Sequence, residues 1–341
     1  MRHINIPIFI PHLGCPNQCI FCNQRSISGN DGFCEESVKS EIKKVLDTVF
    51  DDDECEIAFF GGSFTGIDRS LMIRLLDIAQ GFVNSGRVIG IRMSTRPDYI
   101  SKEIIEILSK YTISCVELGI QTTNNDVLSY LKRGHTFSDT DRAISLLKQS
   151  KIPFVGQMMI GLPRATAKDE TDCALYIASK GACGARIYPT LVLRKTELEN
   201  LTQNGEYTPL SIDEAVDRSA KVLKIFNAYN VPCIRIGLCD SDNLHSDESF
   251  VAGPNTPSIG EMVKSRVYFE LICEELDEKN YEKDIVIECA KGKCSQVIGN
   301  NKRNINDLKN KYGLRTVKVI ENDKLVQFDI IIRQQEEAKC V

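Results

Sequence analysis

Short apolar runs alternate along the first 236 residues with longer stretches in which apolar residues recur every three or four positions. The short runs, rich in Val, Ile and Phe, predict β-strands at residues 4–10, 56–60, 88–93, 115–119, 154–160, 185–188 and 231–236. The longer stretches predict amphipathic helices at residues 35–49, 69–83, 102–110, 140–150, 167–180 and 212–229. Such alternation predicts an α/β fold, with a parallel sheet closed into a full or partial (β/α) barrel and helices outside it.

The pattern changes after about residue 238. Residues 239–257 are polar and turn-rich, a helix is expected near 260–277, and residues 284–333 follow a β-α-α-β-β order. We therefore predict a barrel domain at residues 1–257 and a small α+β domain at 258–341. Residues 250–266 allow two interpretations, a helix start capped by Ser258 and Glu261 or a lid over the barrel mouth.

Composition narrows the class of protein. The chain has 341 residues, 42% of them hydrophobic and 26% charged, and its mean hydropathy is −0.17. No apolar run approaches the roughly 20 residues of a membrane span, and the N-terminus lacks a signal-peptide pattern. Fourteen cysteines without a secretory signal predict a reducing cytoplasm. The net charge of −5 gives no overall nucleic-acid signal, so any such signal must be local.

The strongest chemical signal is a cysteine triad directly after the first predicted strand. Cys15, Cys19 and Cys22 follow C-x3-C-x2-C spacing. Three thiolates are one too few for a closed tetrahedral site, but they can hold three irons of a [4Fe–4S] cube and leave the fourth iron open. The loop lies at the carboxyl end of a strand, where barrel enzymes carry their chemistry. The alternatives are half of a zinc knuckle or three unrelated buried thiols.

Polar or small residues follow the next strands at the same edge. They are Gly61, Gly62, Ser63, Ser94, Gln121, Arg133, His135 and Gln157. The glycine pair allows close backbone approach to a ligand but also suits a tight turn. The two glutamines are either ligand contacts or strand-end amides that bond to loop backbone. Arg133 is either a carboxylate clamp or a solvated charge, and His135 either a general base or a locally hydrogen-bonded loop residue.

Together these segments resemble the radical SAM superfamily, which uses S-adenosylmethionine (SAM). Within it they resemble the branch that contains the Elongator catalytic subunit. The matching segments are residues 59–66, 94–99, 117–122, 132–136 and 186–194, and the resemblance covers roughly residues 5–236. It implies a [4Fe–4S] cluster on Cys15, Cys19 and Cys22. It implies SAM contacts at Phe21, Gly61, Gly62, Ser63, Ser94, Gln121, Arg133 and Gln157.

The resemblance also implies reductive cleavage of SAM to a 5′-deoxyadenosyl radical, with an electron donor such as ferredoxin or flavodoxin. Three departures from the family pattern matter. Ser94 stands where relatives carry an acid, Arg186 stands where they carry a lysine, and the sequence lacks the Elongator acetyltransferase domain. We therefore do not expect acetyl-CoA chemistry.

Residues 294–320 resemble a KH motif, in which a Gly-x-x-Gly loop between two helices clamps a nucleic-acid backbone. The loop would be Gly299, Asn300, Asn301 and Lys302, followed by Arg303. Lys302 replaces the second loop glycine. Eight Lys or Arg and one Asp lie between residues 291 and 318, a local basic cluster on an acidic chain. The alternative is a small cap with a solvated basic face. Cys289 and Cys294 suggest either a metal pair or two buried thiols.

These observations predict a radical SAM enzyme that acts on a tRNA nucleoside. Two other functions stay open. One is a small-molecule enzyme that resembles coproporphyrinogen dehydrogenase, and the other is a non-catalytic RNA-binding iron–sulfur redox sensor. The sequence does not define the target atom, the fate of SAM or the oligomeric state.

Overall fold

The computed structural model describes residues 2–10, 13, 15, 19–23, 33–238, 246 and 248–335. The chain divides into two compact units. The first unit combines Met1–Ser211 with Ile225–Asn255, and the second combines Ile212–Lys224 with Thr256–Val341. The boundary expected from the sequence, between residues 257 and 258, lies close to this division, but the assignment of residues 212–224 to the second unit was not expected.

A curled sheet of parallel strands, a half-barrel, organises the first unit. Its strands are β1 (His3–Phe9), β2 (Glu54–Phe60), β3 (Gly90–Thr95), β4 (Ile113–Gln121), β5 (Phe154–Ile160), β6 (Gly184–Pro189), β7 (Val192–Leu193), β8 (Cys233–Ile236) and β9 (Phe250–Ala252). The half-barrel has the order β1-β2-β3-β4-β5-β6-β8, while β7 and β9 form a separate antiparallel pair. The α/β prediction is thus confirmed, in its partial-barrel form.

Helices connect these strands. They are α1 (Val38–Leu46), α2 (Arg69–Asn84), α3 (Lys102–Leu108), α4 (Asn125–Tyr130), α5 (Phe137–Gln149), α6 (Ala167–Ser179), α7 (Glu197–Gln203) and α8 (Ile212–Ala228). In β5, a Cβ added to Gly156 would lie 2.5 Å from Cγ2 of Ile177 in α6. Glycine therefore allows α6 to pack closely against the sheet. No helix in the described part of the chain has the length and hydropathy needed to cross a lipid bilayer.

The start of α2 illustrates how local sequence sets helix ends. The Asp68 side chain accepts a hydrogen bond from the Leu71 backbone N–H and so caps the helix. Met72, Leu75, Leu76 and Ala79 then follow at helical spacing, and all four are buried. A polar cap followed by an apolar stripe is therefore enough to predict this helix from the sequence.

The main differences from the predicted elements are short segments. Helices α4 and α7 and the β7–β9 pair were not predicted, because each is too short to show a period. Within the turn-rich segment 239–257, the expectation of irregular structure is wrong at Phe250–Ala252, which pairs with β7. Residues 239–245 and 247 of that segment lie outside the described residues. Ser258 makes no side-chain capping hydrogen bond, so the capping-box prediction is also wrong.

The second unit contains a small three-stranded sheet. Its elements beyond α8 are α9 (Ile259–Glu278), β10 (Asp284–Cys289), α10 (Cys294–Ile298), α11 (Arg303–Tyr312), β11 (Thr316–Glu321) and β12 (Ile330–Gln334). Strand β10 is central, parallel to β11 and antiparallel to β12. The β-α-α-β-β order of this segment matches the sequence pattern.

Two buried polar side chains tie the second unit together. The Tyr268 hydroxyl accepts a hydrogen bond from the Phe328 backbone N–H at 2.9 Å. The Asn304 amide donates to the Ser265 carbonyl at 3.0 Å and to the Val297 carbonyl at 3.1 Å, which joins α11 to α9 and α10. Because each group is buried, loss of either side chain would leave unsatisfied backbone groups.

Candidate active site

The loop after β1 carries the cysteine triad and is anchored at its second half. Cys19 is buried, whereas Cys15 and Cys22 are half-buried. The Ile20 N–H donates to the Leu131 carbonyl at 3.2 Å, and the Ile20 carbonyl accepts from the Leu198 N–H at 2.8 Å. Residues 16–18 of the loop lie outside the described residues. The loop is thus attached to the end of α4 and the start of α7, two helices that were not predicted from the sequence.

Two of the three thiols have polar neighbours from other rim loops. Cys15 Sγ lies 3.3 Å from the Ser63 hydroxyl, and Cys19 Sγ accepts a hydrogen bond from Arg133 Nη1 at 3.3 Å. Over the described residues, no three His, Cys, Asp or Glu side chains are grouped to hold one metal ion. A cluster does not require such grouping, because each thiolate binds a different iron. Three thiols, at least two of them beside hydrogen-bond donors, fit the soft, negatively charged donor set of an iron–sulfur cluster.

The glycine pair after β2 has a clear structural role. Gly61 has φ +94°, and a Cβ there would lie 3.2 Å from the backbone N of Ile10. The Ile10 N–H also donates to the Phe60 carbonyl at 2.8 Å. The positive φ and the close approach of β1 and β2 therefore favour glycine at position 61. The adjacent Ser63 is buried against the cysteine loop.

Two buried guanidinium groups lie at the same edge. Arg133 Nη2 donates to the Gly119 carbonyl at 2.8 Å, but its Nε has no partner among the described residues. Arg96 pairs with Asp98 at 3.0 and 2.8 Å, and its Nη1 likewise has no partner there. Burial disfavours the charged form of Arg96, but the bond to Asp98 and the nearby Cys19 outweigh it, so its pKa is raised. Arg133 is buried, so the alternative of a solvated charge is wrong.

Gln121 and His135 add further unpaired polar atoms. Gln121 has φ +67°, a strained conformation for a residue other than glycine, and its buried Oε1 has no hydrogen-bond partner among the described residues. Neither ring nitrogen of His135 makes a hydrogen bond of normal geometry with the described residues, although the Ile120 backbone lies nearby. Burial, reinforced by Arg133 and Arg96, lowers the pKa of His135 to about 3. His135 is therefore neutral near pH 7, and its lowered pKa makes it a weak proton acceptor, which disfavours general-base catalysis.

These unpaired atoms lie close together. A Cβ on Gly119 would lie 3.2 Å from Gln121 Nε2 and 3.3 Å from Arg133 Nη2. The positive charges of Arg133 and Arg96 both lower the pKa of His135. A buried polar group without a hydrogen-bond partner lowers the free energy of unfolding by about 1–3 kcal/mol. Both donors and acceptors are left unpaired, so the arrangement fits a polar ligand that carries acceptor and donor groups, such as the amino-acid part of SAM.

A buried ion network covers the inner face of the sheet below these loops. The Glu117 carboxylate accepts hydrogen bonds from Arg92 at 3.2 Å, Arg186 at 2.8 Å and Gln157 at 2.8 Å. Arg92 also pairs with Glu56 at 2.9 Å. The Gln157 amide is therefore engaged by a carboxylate of the sheet rather than by loop backbone. Its carbonyl oxygen is the part left for a ligand.

Phe21 and Ser94, the remaining predicted SAM contacts, are both only half-buried. Phe21 is half-buried and packs on the apolar cluster of Ile20, Val127, Leu131 and Leu162. Ser94 is half-buried in β3. Arg96 was not among the predicted site residues, although Arg92, Ser94 and Arg96 alternate along one face of β3 and its end. That alternation was the signal that could have identified Arg96.

The loop predicted to bind nucleic acid lies in the second unit, between α10 and α11. Gly299 has φ +78°, and a Cβ there would lie 2.9 Å from the buried Asn304 side chain. Asn301 and Lys302 are both left-handed, with φ +51° and +61°. Asn300, Asn301, Lys302 and Arg303 are exposed. Lys302 thus adopts the backbone region that the missing second glycine would favour.

The basic cluster around this loop is partly neutralised. Lys291, Arg303, Lys311 and Arg315 form ion pairs with Asp323, Asp213, Asp277 and Asp284. Lys293, Lys302, Lys309 and Lys318 form no ion pair with the described residues. About half of the positive charge counted in the sequence is therefore available to a polyanion. In the same unit, Sγ of the buried Cys289 and Sγ of the half-buried Cys294 lie 3.8 Å apart.

Two family models match the chain. The model described as the radical SAM superfamily matches residues 9–175, and that of the radical SAM C-terminal domain matches residues 183–268. Together they cover most of the first unit and extend into the second. The matched region includes the cysteine triad and every rim residue described above.

Relatives and a solved structure agree with these matches. An uncharacterized protein of Methanocaldococcus jannaschii is 28% identical over 66% of this chain and 72% of its own length. A tRNA uridine(34) acetyltransferase of the same organism is 29% identical over 52% of this chain, but this chain spans only 37% of that enzyme. The solved structure of Elp3 from Methanocaldococcus infernus has a TM-score of 0.61 at 22% identity, and the match covers 81% of this chain and 63% of that one. The last likeness supports the fold alone.

Proposed function

We propose, since the chain belongs to the radical SAM superfamily and is an enzyme of that type, that it cleaves SAM reductively and acts on a nucleoside of tRNA. One observation supports SAM cleavage. The cysteine loop meets buried polar atoms of Arg96, Gln121, Arg133 and His135 that have no hydrogen-bond partner among the described residues. A site for metal alone would not require these polar atoms. A thiolate-bound cluster with a polar organic ligand beside it accounts for both.

The protein's own residues would bind and orient the cofactors. Cys15, Cys19 and Cys22 would hold a [4Fe–4S] cluster, which together with SAM supplies one-electron cleavage to a 5′-deoxyadenosyl radical. Arg133 would contact both groups, because its Nη1 bonds to Cys19 and its Nε, which has no partner among the described residues, could donate to the SAM carboxylate. Gln121 offers an acceptor, and neutral His135 offers either a donor or an acceptor without adding charge. Burial of these groups excludes water from the ligand.

Two observations support the RNA substrate. The acetyltransferase relative acts on tRNA uridine 34 by its name, and the second unit of this chain presents an exposed loop with nearby lysines that form no ion pair with the described residues. Such a loop suits phosphate contacts. A small-molecule substrate is the second candidate, favoured by the ion pairs that neutralise half of the basic cluster.

One experiment separates the candidates. Reconstituted enzyme, SAM and reductant are incubated with and without tRNA, and 5′-deoxyadenosine and the nucleosides of the tRNA are measured by mass spectrometry. We expect 5′-deoxyadenosine in both samples and a modified nucleoside only with tRNA. Cleavage with no modified nucleoside would favour a small-molecule substrate, while a cluster without cleavage would favour the redox sensor.

Loss of Arg133 should weaken SAM binding. A charge-assisted hydrogen bond contributes about 1.5–3 kcal/mol, so Arg133→Ala should reduce the SAM affinity of the reconstituted protein about tenfold to a hundredfold. Calorimetry measures the affinity, and iron is assayed in parallel because Arg133 also contacts Cys19. Arg142→Ala, which removes an exposed guanidinium from α5, is the control. Equal affinities would remove Arg133 from the SAM site.

Negative charge on the loop of the second unit should weaken tRNA binding. Asn300 and Asn301 are exposed, so their replacement by Asp should leave the fold intact. Two carboxylates beside a phosphate backbone should lower tRNA affinity by about tenfold or more at low salt. Filter binding at two salt concentrations measures this effect, with Asn300→Ser and Asn301→Gly as the uncharged control, because glycine accepts the left-handed backbone of residue 301. Unchanged tRNA affinity in the Asp variant would exclude this loop from the interface.

A further inference from the structure

One row of residues crosses the inner face of the half-barrel from the proposed SAM site to its far edge. Gly119, Gln157, Arg186 and Arg235 are successive register partners on β4, β5, β6 and β8. Gly119 lies beside Arg133 and Gln121. Strands are about 4.8 Å apart, so Arg235 lies roughly 14 Å across the sheet from Gly119. The row therefore ends in a charged residue at a distance that leaves room for a substrate beside SAM.

A β-bulge in β8 decides which face Arg235 occupies. Cys233 opposes Ala185 on β6, but the register then shifts and Arg235, not Ile234, opposes Arg186. In a regular strand, Cys233 and Arg235 would share a face. The extra residue instead places Arg235 with Arg186 on the inner face of the sheet. Bulges that redirect one side chain occur often next to active sites.

No carboxylate among the described residues pairs with Arg235. Arg92 and Arg186 are paired with the carboxylates Glu56 and Glu117. Arg235, which is half-exposed, has no ion pair or side-chain hydrogen bond in the part of the chain that the structure describes. An arginine without a carboxylate partner keeps its full positive charge and its N–H donors for a ligand.

Tyr188 provides a second polar group next to Arg235. It lies two residues after Arg186 on β6, so both side chains are on the inner face of the sheet. Burial raises the pKa of the Tyr188 hydroxyl, and the positive charges of Arg186 and Arg235 partly oppose that rise. Because Arg186 is the register partner of Arg235, Tyr188 and Arg235 are diagonal neighbours on the inner face of β6 and β8.

We propose that Arg235 and Tyr188 form a substrate subsite for an oxyanion, and that this oxyanion is a phosphate of the RNA chain next to the nucleoside that reacts. The proposal rests on the proposed function and adds a contact of the first unit to the substrate. A guanidinium binds phosphate bidentately, and a hydroxyl can donate a third hydrogen bond. A carboxylate on a small substrate would use the same chemistry, so the test must separate the two sources.

The test compares Arg235→Gln with Arg235→Lys and with Lys44→Gln, a control that removes an exposed charge from α1. We measure tRNA affinity by filter binding between about 50 and 200 mM salt. Loss of one phosphate contact should lower the slope of log affinity against log salt by about one. The salt effect over that range should therefore shrink by about three- to fourfold for Arg235→Gln. The salt effect on tRNA affinity should return almost to its wild-type size in Arg235→Lys. It should equal that of wild type in Lys44→Gln.

Three outcomes would overturn the proposal in different ways. If Arg235→Gln keeps the wild-type slope and affinity, the subsite is refuted while the proposed function stands. If wild-type protein does not bind tRNA at any salt concentration, the RNA substrate is refuted. The subsite is then judged by whether inorganic phosphate raises the melting temperature of wild type more than that of Arg235→Gln. Stabilisation by succinate but not by phosphate would show a carboxylate subsite and refute the phosphate assignment.

Discussion

Cys19→Ala protein, reconstituted under anaerobic conditions, should contain no [4Fe–4S] cluster and should form no detectable 5′-deoxyadenosine. Wild-type protein should bind about four irons, the content of one cube held by three thiolates. Cys19 is the buried member of the triad and receives the Arg133 hydrogen bond, so its loss removes both a ligand and the anchor of a charged group. Iron analysis and the absorbance of the cluster measure the first effect, and mass spectrometry measures the second.

Two controls make this result specific. Cys34→Ala removes an exposed thiol that bonds to Glu36 and should keep about four irons, the content of one cube. Cys289→Ala removes a thiol of the second unit and should also keep them. A Cys19→Ala protein that still forms 5′-deoxyadenosine would refute the cluster assignment. Loss of iron from Cys289→Ala would instead indicate a second metal site.

Glu117→Ala should be the most destabilising single change on the inner face of the sheet. The Glu117 side chain is 1% exposed and balances Arg186, whose side chain is 9% exposed. Removal of one partner from a buried pair leaves an uncompensated charge and costs about 3–5 kcal/mol in the free energy of unfolding. Arg92 would keep its ion pair with Glu56. The main effects of the change are therefore that Arg186 loses its ion pair and Gln157 loses its hydrogen bond. Urea unfolding of the metal-free protein should show a lower midpoint at an unchanged slope.

The matched change on the surface is Glu103→Ala. Glu103 is 68% exposed and pairs with Arg69 at 3.2 Å. Exposed pairs contribute about 0–1 kcal/mol, so the unfolding midpoint should hardly move. If the two variants unfold at the same urea concentration, the buried network does not stabilise the fold as its geometry indicates. Glu117→Gln tests the charge alone, because the amide keeps the shape but loses the ion pair.

Much of the half-barrel was predictable from local patterns. Each main strand contains a short apolar run, and main helices such as α2 bury an apolar stripe, here Met72, Leu75, Leu76 and Ala79. The cysteine triad was recognised by its spacing and its position after the first strand, because its three cysteines lie within eight consecutive residues. Short elements such as α4, α7 and the β7–β9 pair show no such pattern. They are stabilised by contacts with distant segments, such as the Ile20 backbone bonded to Leu131 and Leu198.

The amino-acid sequence by itself determined the order of strands and helices, the cysteine loop and the polar residues that follow the strands. Only the tertiary structure decided that Arg133 contacts Cys19 and that His135 is neutral. It also decided that Arg186 pairs with Glu117 and that a bulge turns Arg235 inward. The physical reason is that periodicity reports which face of an element is buried, a property of near neighbours in the chain. The partner of a polar side chain depends on strand register and on packing between residues up to 114 positions apart, which no local pattern records.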